Sequence, residues 1–350
     1  MCSGTVCPCT EEGVLAAIAA GGGAYTFDCD GPTTVVTQAE IAINNDIILD
    51  GEGNLTVAGD HSQRVFSVPK GVNAELHRLT VTGGHGGVVN EGALVIQDSV
   101  ISRNQTECCS SGSSGGGILN AGEMAIINST VSENLADHSL GGGIYNRGEM
   151  TIINSTVSHN SGSPDGWGPV GGGIYNGGEM TIINSTVTDN SAHGAVGELS
   201  GGGIWNGGML TLMNSTVWGN TADLGDAIAT DLSSYTEIAN TLIDGDCNDA
   251  GDGSNLTWVS NGYNIESPGD TCGFDQGTDL VNITEGQLNL GSLQDNGGPT
   301  ETRALGGGSV AVDHIPAADC GVTTDQRGEP RPEMGGDACD VGAFEVQPTD

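Results

Sequence analysis

Acidic and imidazole side chains gather in short segments of this chain. Glu133 and Asp137 stand near His138, Asp165 stands beside Trp167, and Asp189 and Glu198 flank His193, with His159 between the groups. Two or three carboxylates at a set separation perform the acid, base or nucleophile work of glycosidic-bond hydrolysis. Elimination at a uronate needs instead an Arg or Lys base beside acid-held Ca2+. The chain has only 8 basic residues, and Arg103 and Arg147 are the candidates for that role. A polyanionic substrate would meet a formal charge of −37, which argues against pectin-type elimination unless Ca2+ bridges the charges. No spacing among these residues is diagnostic of one active site.

Other residues suggest binding. Tyr145, Tyr175 and Trp205 recur at intervals of 30, with Leu119 in the matching earlier position. Such a row can stack on sugar rings, as can Trp167 in an intervening segment, or its members can stack on each other. Glu123, Glu149 and Glu179 form a second row. Like charges one strand apart repel unless countered, by Arg147 for one of them or by a bridging Ca2+; solvated, screened carboxylates are the plain alternative. Asp244, Asp246 and Asn248 have the first, third and fifth spacing of a calcium loop, but Asp249 and Asn255 replace its Gly and Glu. "NST" at 128, 154, 184 and 214 matches a glycosylation pattern, yet the Asn is expected to point into the core; Asn54, Asn104, Asn255 and Asn282 are better acceptors.

These residues are positioned by a repeat. "GGGIYNRGEMTIINSTVSHN" (141–160) has copies starting at 115, 171 and 201, so the intervals are 26, 30 and 30 residues. A period of this size with three short strands per unit marks a solenoid. Ile144, Asn146, Met150, Ile152, Asn154, Val157 and Asn160 read as inward; Tyr145, Glu149, Thr151 and Ile153 read as outward. Stacked copies align three Asn rows, at 120/146/176/206, 128/154/184/214 and 134/160/190/220. The expected fold is all-β, a right-handed parallel β-helix. Three regions are expected: 1–43, an N-terminal cap with a short helix; 44–246, the coils; 247–350, terminal coils and a loop-rich tail. In the first, Thr10 caps a helix over 10–20 and Gly21 stops it.

Composition bounds the rest. The 350 residues include 60 Gly and 45 acids, so nucleic acid and anionic membranes are excluded as partners. No apolar run is long enough to span a bilayer. Ten Cys imply an oxidising compartment. Cys247–Cys272 and Cys320–Cys339 are the expected bridges, with Cys2, Cys7, Cys9 and Cys29 pairing among themselves; Cys108 and Cys109 stay open. Export is inferred from the cysteines, since no secretory signal is expected within the sequence.

The repeats resemble those of bacterial surface β-helix proteins of the pectate-lyase-like superfamily and the polymorphic outer-membrane type. The tail "LQDNGGPTETRALGGGSVAVD…TDQRGEPRP…CDVGAFE" (293–345) resembles the end of choice-of-anchor Q proteins, secreted or surface β-helices with varied sorting signals. The sorting signals that the resemblance implies are not expected within "VQPTD". The resemblance and the near-identity of the coils point to a structural or adhesive role at the cell surface or outside the cell. On that reading the partner is a polysaccharide or another copy of the chain, and assembly into filaments runs through the ends or the outward Thr-Ile face. The alternative is a polysaccharide-binding or polysaccharide-cleaving protein, with Ca2+ as the one expected cofactor.

Overall fold

The computed structural model describes residues 1–106, 115–137, 139–163, 170–193, 200–223, 225–249 and 258–348. Cys108, Cys109, His138, Asp165, Trp167, Glu198 and Asn255 lie outside the described residues.

The repeated twenty residues wrap into one coil of a parallel β-solenoid. One coil contributes four short strands, Ile144–Asn146, Glu149–Ile153, Thr156–Ser158 and Ser161–Ser163, one more than the sequence reading expects. Each pairs in parallel with its counterpart in the next coil, and identical residues meet: Ile144 with Ile174, Met150 with Met180, Val157 with Val187. Alternation sends Met150, Ile152 and Val157 inward, each at most 1% exposed. The inward residues of successive coils form one continuous apolar core running from Cys7 to Phe274.

Two Asn rows lie inside, as expected. The side-chain amide of Asn90 donates to Asn120, Asn120 to Asn146, Asn146 to Asn176 and Asn176 to Asn206, all at 2.8–2.9 Å. A second ladder runs through Asn104, Asn134, Asn160, Asn190 and Asn220 at 2.9–3.0 Å. Asn104 is therefore buried, which removes it as a glycosylation acceptor. Each amide also satisfies backbone groups at its corner, where an unpaired group would be costly.

The third row differs from expectation. Asn128, Asn154, Asn184 and Asn214 do not enter the core; they sit at φ of +49 to +50°. This left-handed conformation turns the chain at a corner, and Asn tolerates it better than other residues with a side chain. The Ser that follows goes inward instead, and its hydroxyl accepts from the preceding coil: Ser129 N–H donates to Ser155 Oγ at 3.0 Å. The Thr after that points outward.

Glycine at the start of each repeat permits close coil stacking. A Cβ on Gly142 would lie 2.2 Å from the carbonyl oxygen of Gly172.

At the N-terminal end, the helix Glu11–Ala20 starts at Thr10, whose hydroxyl accepts from Gly13 N–H, and ends at Gly21. It presses Val14, Ala17 and Ile18 onto the first coil. The expected bridges Cys247–Cys272 and Cys320–Cys339 are present, and the N-terminal four pair as Cys2–Cys7 and Cys9–Cys29. Among the described residues, no helix is long and apolar enough to cross a membrane.

The C-terminal region first adds one more coil, in which Cys247–Asp249, Trp258–Ser260 and Ile265–Ser267 each pair in parallel with the coil before. After Ile265–Ser267 the chain turns back along the outside and builds a small second core around Leu288, Leu305, Ile315 and Phe344. It then lies over the outward face of Thr156–Ser158, Thr186–Thr188 and Thr216–Trp218. Gln326 bridges that face: its amide nitrogen reaches Thr156 Oγ1 at 2.8 Å and its oxygen accepts from Thr186 Oγ1 at 2.7 Å. The tail also covers the Asn corners, where Asn184 donates to Thr324 O and Asn214 to Cys320 O.

Candidate functional groove

The outward face of the strands Ile47–Ala58, Asn73–Thr82, Ala93–Gln97, Glu123–Ile127 and Glu149–Ile153 carries a groove of about 450 Å³. The sequence explains it. One outward column reads Ile48, Glu75, Val95, Ala125, Thr151 across neighbouring strands. The column beside it reads Asn73, Ala93, Glu123, Glu149. Ala93, Val95 and Ala125 are small beside the Thr and Glu that fill the same positions in later coils. They sink the floor between Asp46, Glu75 and Asn73 at one end and Glu149 and Thr151 at the other.

Four carboxylates line the groove, from Asp46, Glu75, Glu123 and Glu149, and no Lys or Arg does. Asp46 is tied down by accepting from Asn73 N–H at 2.8 Å. Glu123, Glu149 and Glu179 stand in register and exposed. Arg147 is exposed and makes no ion pair with them among the described residues. At the groove edge, His77 Nε2 lies 2.8 Å from Glu75 Oε2 but off hydrogen-bonding geometry, so the ring must turn before the pair can pass a proton. On the neighbouring rung Arg78 pairs with Asp50; despite the cost of partial burial, that ion pair holds the Asp50 carboxyl below its ordinary range.

The other candidates are distributed elsewhere. Arg103, Glu133, His159, Asp189 and Gly219 occupy one column of left-handed corners. There Arg103 pairs with Glu133 and depresses its carboxyl, with a smaller contribution from His159. Asp189 is taken by Arg303 of the tail at 2.7 Å, so it fastens the tail rather than standing free. This column is on a different strand edge from the groove, and no catalytic pair forms in it.

Tyr145, Tyr175 and Trp205 do form a stack, with centroids 5.1 and 4.2 Å apart. The rings lie on each other and on the backbone: a Cβ on Gly207 would come within 2.4 Å of the Trp205 ring. Leu119 and Trp205 are each 6% exposed, and burial pushes the Tyr175 phenol up to about 12. The stack supports the sheet, and Tyr145 and Tyr175 stay partly exposed along it.

Asp244, Asp246 and Asn248 do not wrap into a loop. Asp244 ends the strand Leu242–Asp244, Asp246 follows the turn at Gly245, and Asn248 sits within Cys247–Asp249, paired with Ala229. Parallel pairing keeps this segment extended. Asp244 accepts instead from Gly219 N–H at 3.1 Å, and burial raises its carboxyl to about 6. Among the described residues, no three Asp, Glu, His or Cys side chains come close enough to share a metal ion, the Glu row included.

Sequence reasoning missed Asp46, Asn73, Glu75 and His77, because they lie in the two coils that follow the repeat least. Their departure from the repeat was the available signal.

No protein-family model matches the chain, and no curated protein is significantly similar to it. Among solved structures it is similar to pectate lyase Pel9A, with a TM-score of 0.59 at 16% identity over 95% of this chain and 90% of that one. A PL6 family alginate lyase, AlyGC, aligns over 85% of this chain and 55% of its own, with a TM-score of 0.30 at 11% identity. The likeness to Pel9A is one of fold, that of a parallel β-solenoid.

Proposed function

We propose that this protein binds a polysaccharide along the groove on its outward sheet face and cleaves it there. The groove carries the reading. It is open at the surface, crosses five consecutive strands, and is lined by the polar and small residues an extended sugar chain needs. The similarity to Pel9A, a pectate lyase by name, favours this over a purely adhesive rod. The four disulfides among the described residues support an extracellular setting. The resemblance of the tail to that of secreted β-helix proteins agrees with it, and a right-handed coil closed by the Glu11–Ala20 helix is the geometry we infer. Proton transfer falls to the His77–Glu75 pair, because no Lys or Arg lines the groove.

The test uses the full chain and a panel of polysaccharides, with both reducing ends and unsaturated products measured. Ala125→Trp, which fills the groove floor, is expected to abolish binding. His77→Asn is expected to lower turnover about 100-fold while binding persists. Binding that survives Ala125→Trp unchanged would place the ligand elsewhere and overturn the reading.

A further inference from the structure

Three features of the groove bear on the charge of its ligand. Its wall presents Asp46, Glu75, Glu123 and Glu149 with no cationic side chain among them, and Glu179 extends the column by one rung. Of the arginines near it, Arg78 is already paired with Asp50, and Arg147 stands exposed outside the groove lining. The carboxylates also do not converge: no three acidic or imidazole groups among the described residues lie close enough to hold a metal ion that could bridge to an anionic sugar. Glu123, Glu149 and Glu179 recur instead at the strand spacing of about 4.8 Å, a linear array rather than a cage.

A linear array of like charges at that spacing repels itself and any polyanion beside it. The whole chain, at −37, adds to the same potential. What it complements is a linear polymer with regularly spaced positive charges. We propose that the groove takes a polycationic glycan, an amino-sugar polymer with protonated amines, and not a polyuronate. This rests on the polysaccharide reading above and narrows it. The ammonium groups pair with the Glu column, while the sugar rings lie over the low floor of Ala93, Val95 and Ala125. The ligand class is therefore opposite in charge to the pectate named for Pel9A, although the two chains share a fold.

The experiment compares chitosan oligosaccharides, a neutral glucan and polygalacturonate with and without Ca2+, at about pH 5.5, where ordinary carboxylates are ionised. Chitosan oligosaccharides are expected to bind, and more weakly as salt shortens the screening length. Glu123→Gln with Glu149→Gln is expected to weaken them several-fold. A control pair on the tail, Glu329→Gln with Asp337→Asn, removes the same charge far from the groove and is expected to change binding less than about twofold. Equal weakening by both pairs would mean diffuse attraction to an acidic protein and would overturn the proposal. Preferential, Ala125→Trp-sensitive binding of polygalacturonate or the neutral glucan would overturn the charge assignment and leave the polysaccharide reading standing. Binding of no glycan would sink both.

Discussion

The Asn residues show how one residue type serves two purposes a few positions apart. Asn146 and Asn176 are fully buried and pass hydrogen bonds from coil to coil. Asn154 and Asn184 occupy left-handed corners and point away from the core. Replacing Asn176 with Ala strands the N–H of Gly178 and removes one partner each from the Asn146 amide, which keeps Gly148 O and Glu179 O, and from the Asn206 oxygen, which keeps Gly208 N–H. A buried polar group left unpaired costs about 1–3 kcal/mol, so a loss of about 3 kcal/mol is expected in denaturant unfolding. Asn184→Ala should cost less, because its amide makes only one bond, to the tail. Equal costs would show that the ladder has no special weight.

At the scale of elements, the tail is held by contacts that no coil repeats. Gln326 is fully buried and reaches Thr156, Thr186 and Thr300 together. Arg303 grips Asp189, and Ala343 N–H donates to Thr216 Oγ1. Gln326→Ala leaves the Thr186 hydroxyl without its partner and takes one partner each from Thr156 and Thr300 under the tail. Faster proteolysis of residues 296–348 is expected, with the far-ultraviolet signal of the solenoid retained, because the coils carry their own core. Unchanged cleavage of the tail would show that Gln326 is not what fastens it.

The whole molecule carries a pH dependence through the buried ionic core of that tail. Arg331 pairs with Glu345 at 3.0 Å, with both side chains fully buried. Arg327 pairs with Asp325 and lies 3.7 Å over the Phe344 ring. Burial outweighs the pairing and pushes Glu345 up to about 7 and Asp340 up to about 6. A carboxyl raised in the folded state keeps its proton there longer than in the unfolded chain. Its contribution is full below the unfolded value of about 4.3 and is lost as pH rises through about 6 to 7. The melting temperature should therefore fall between about pH 5 and pH 8, and Glu345→Gln should shrink that fall. A variant with the same pH dependence as the parent would remove Glu345 as its source.

The coil was legible from periodicity alone. Identical residues at a fixed period can only stack, and period-two alternation decides which side faces the core, so Met150, Ile152 and the two buried Asn rows were legible. The cysteine pairs of the C-terminal half followed from their isolation along the chain. Asn154 was misplaced because side-chain alternation fails at a residue with positive φ, which a strand pattern does not register. Long-range packing, in contrast, folds the tail back to seize Asp189 and stacks the aromatic row on itself. It alone decided that small residues at 93, 95 and 125 sink a groove between Glu75 and Glu149. Those outcomes depend on which surfaces meet across more than a hundred residues of chain, and local periodicity carries no information about such distant pairings.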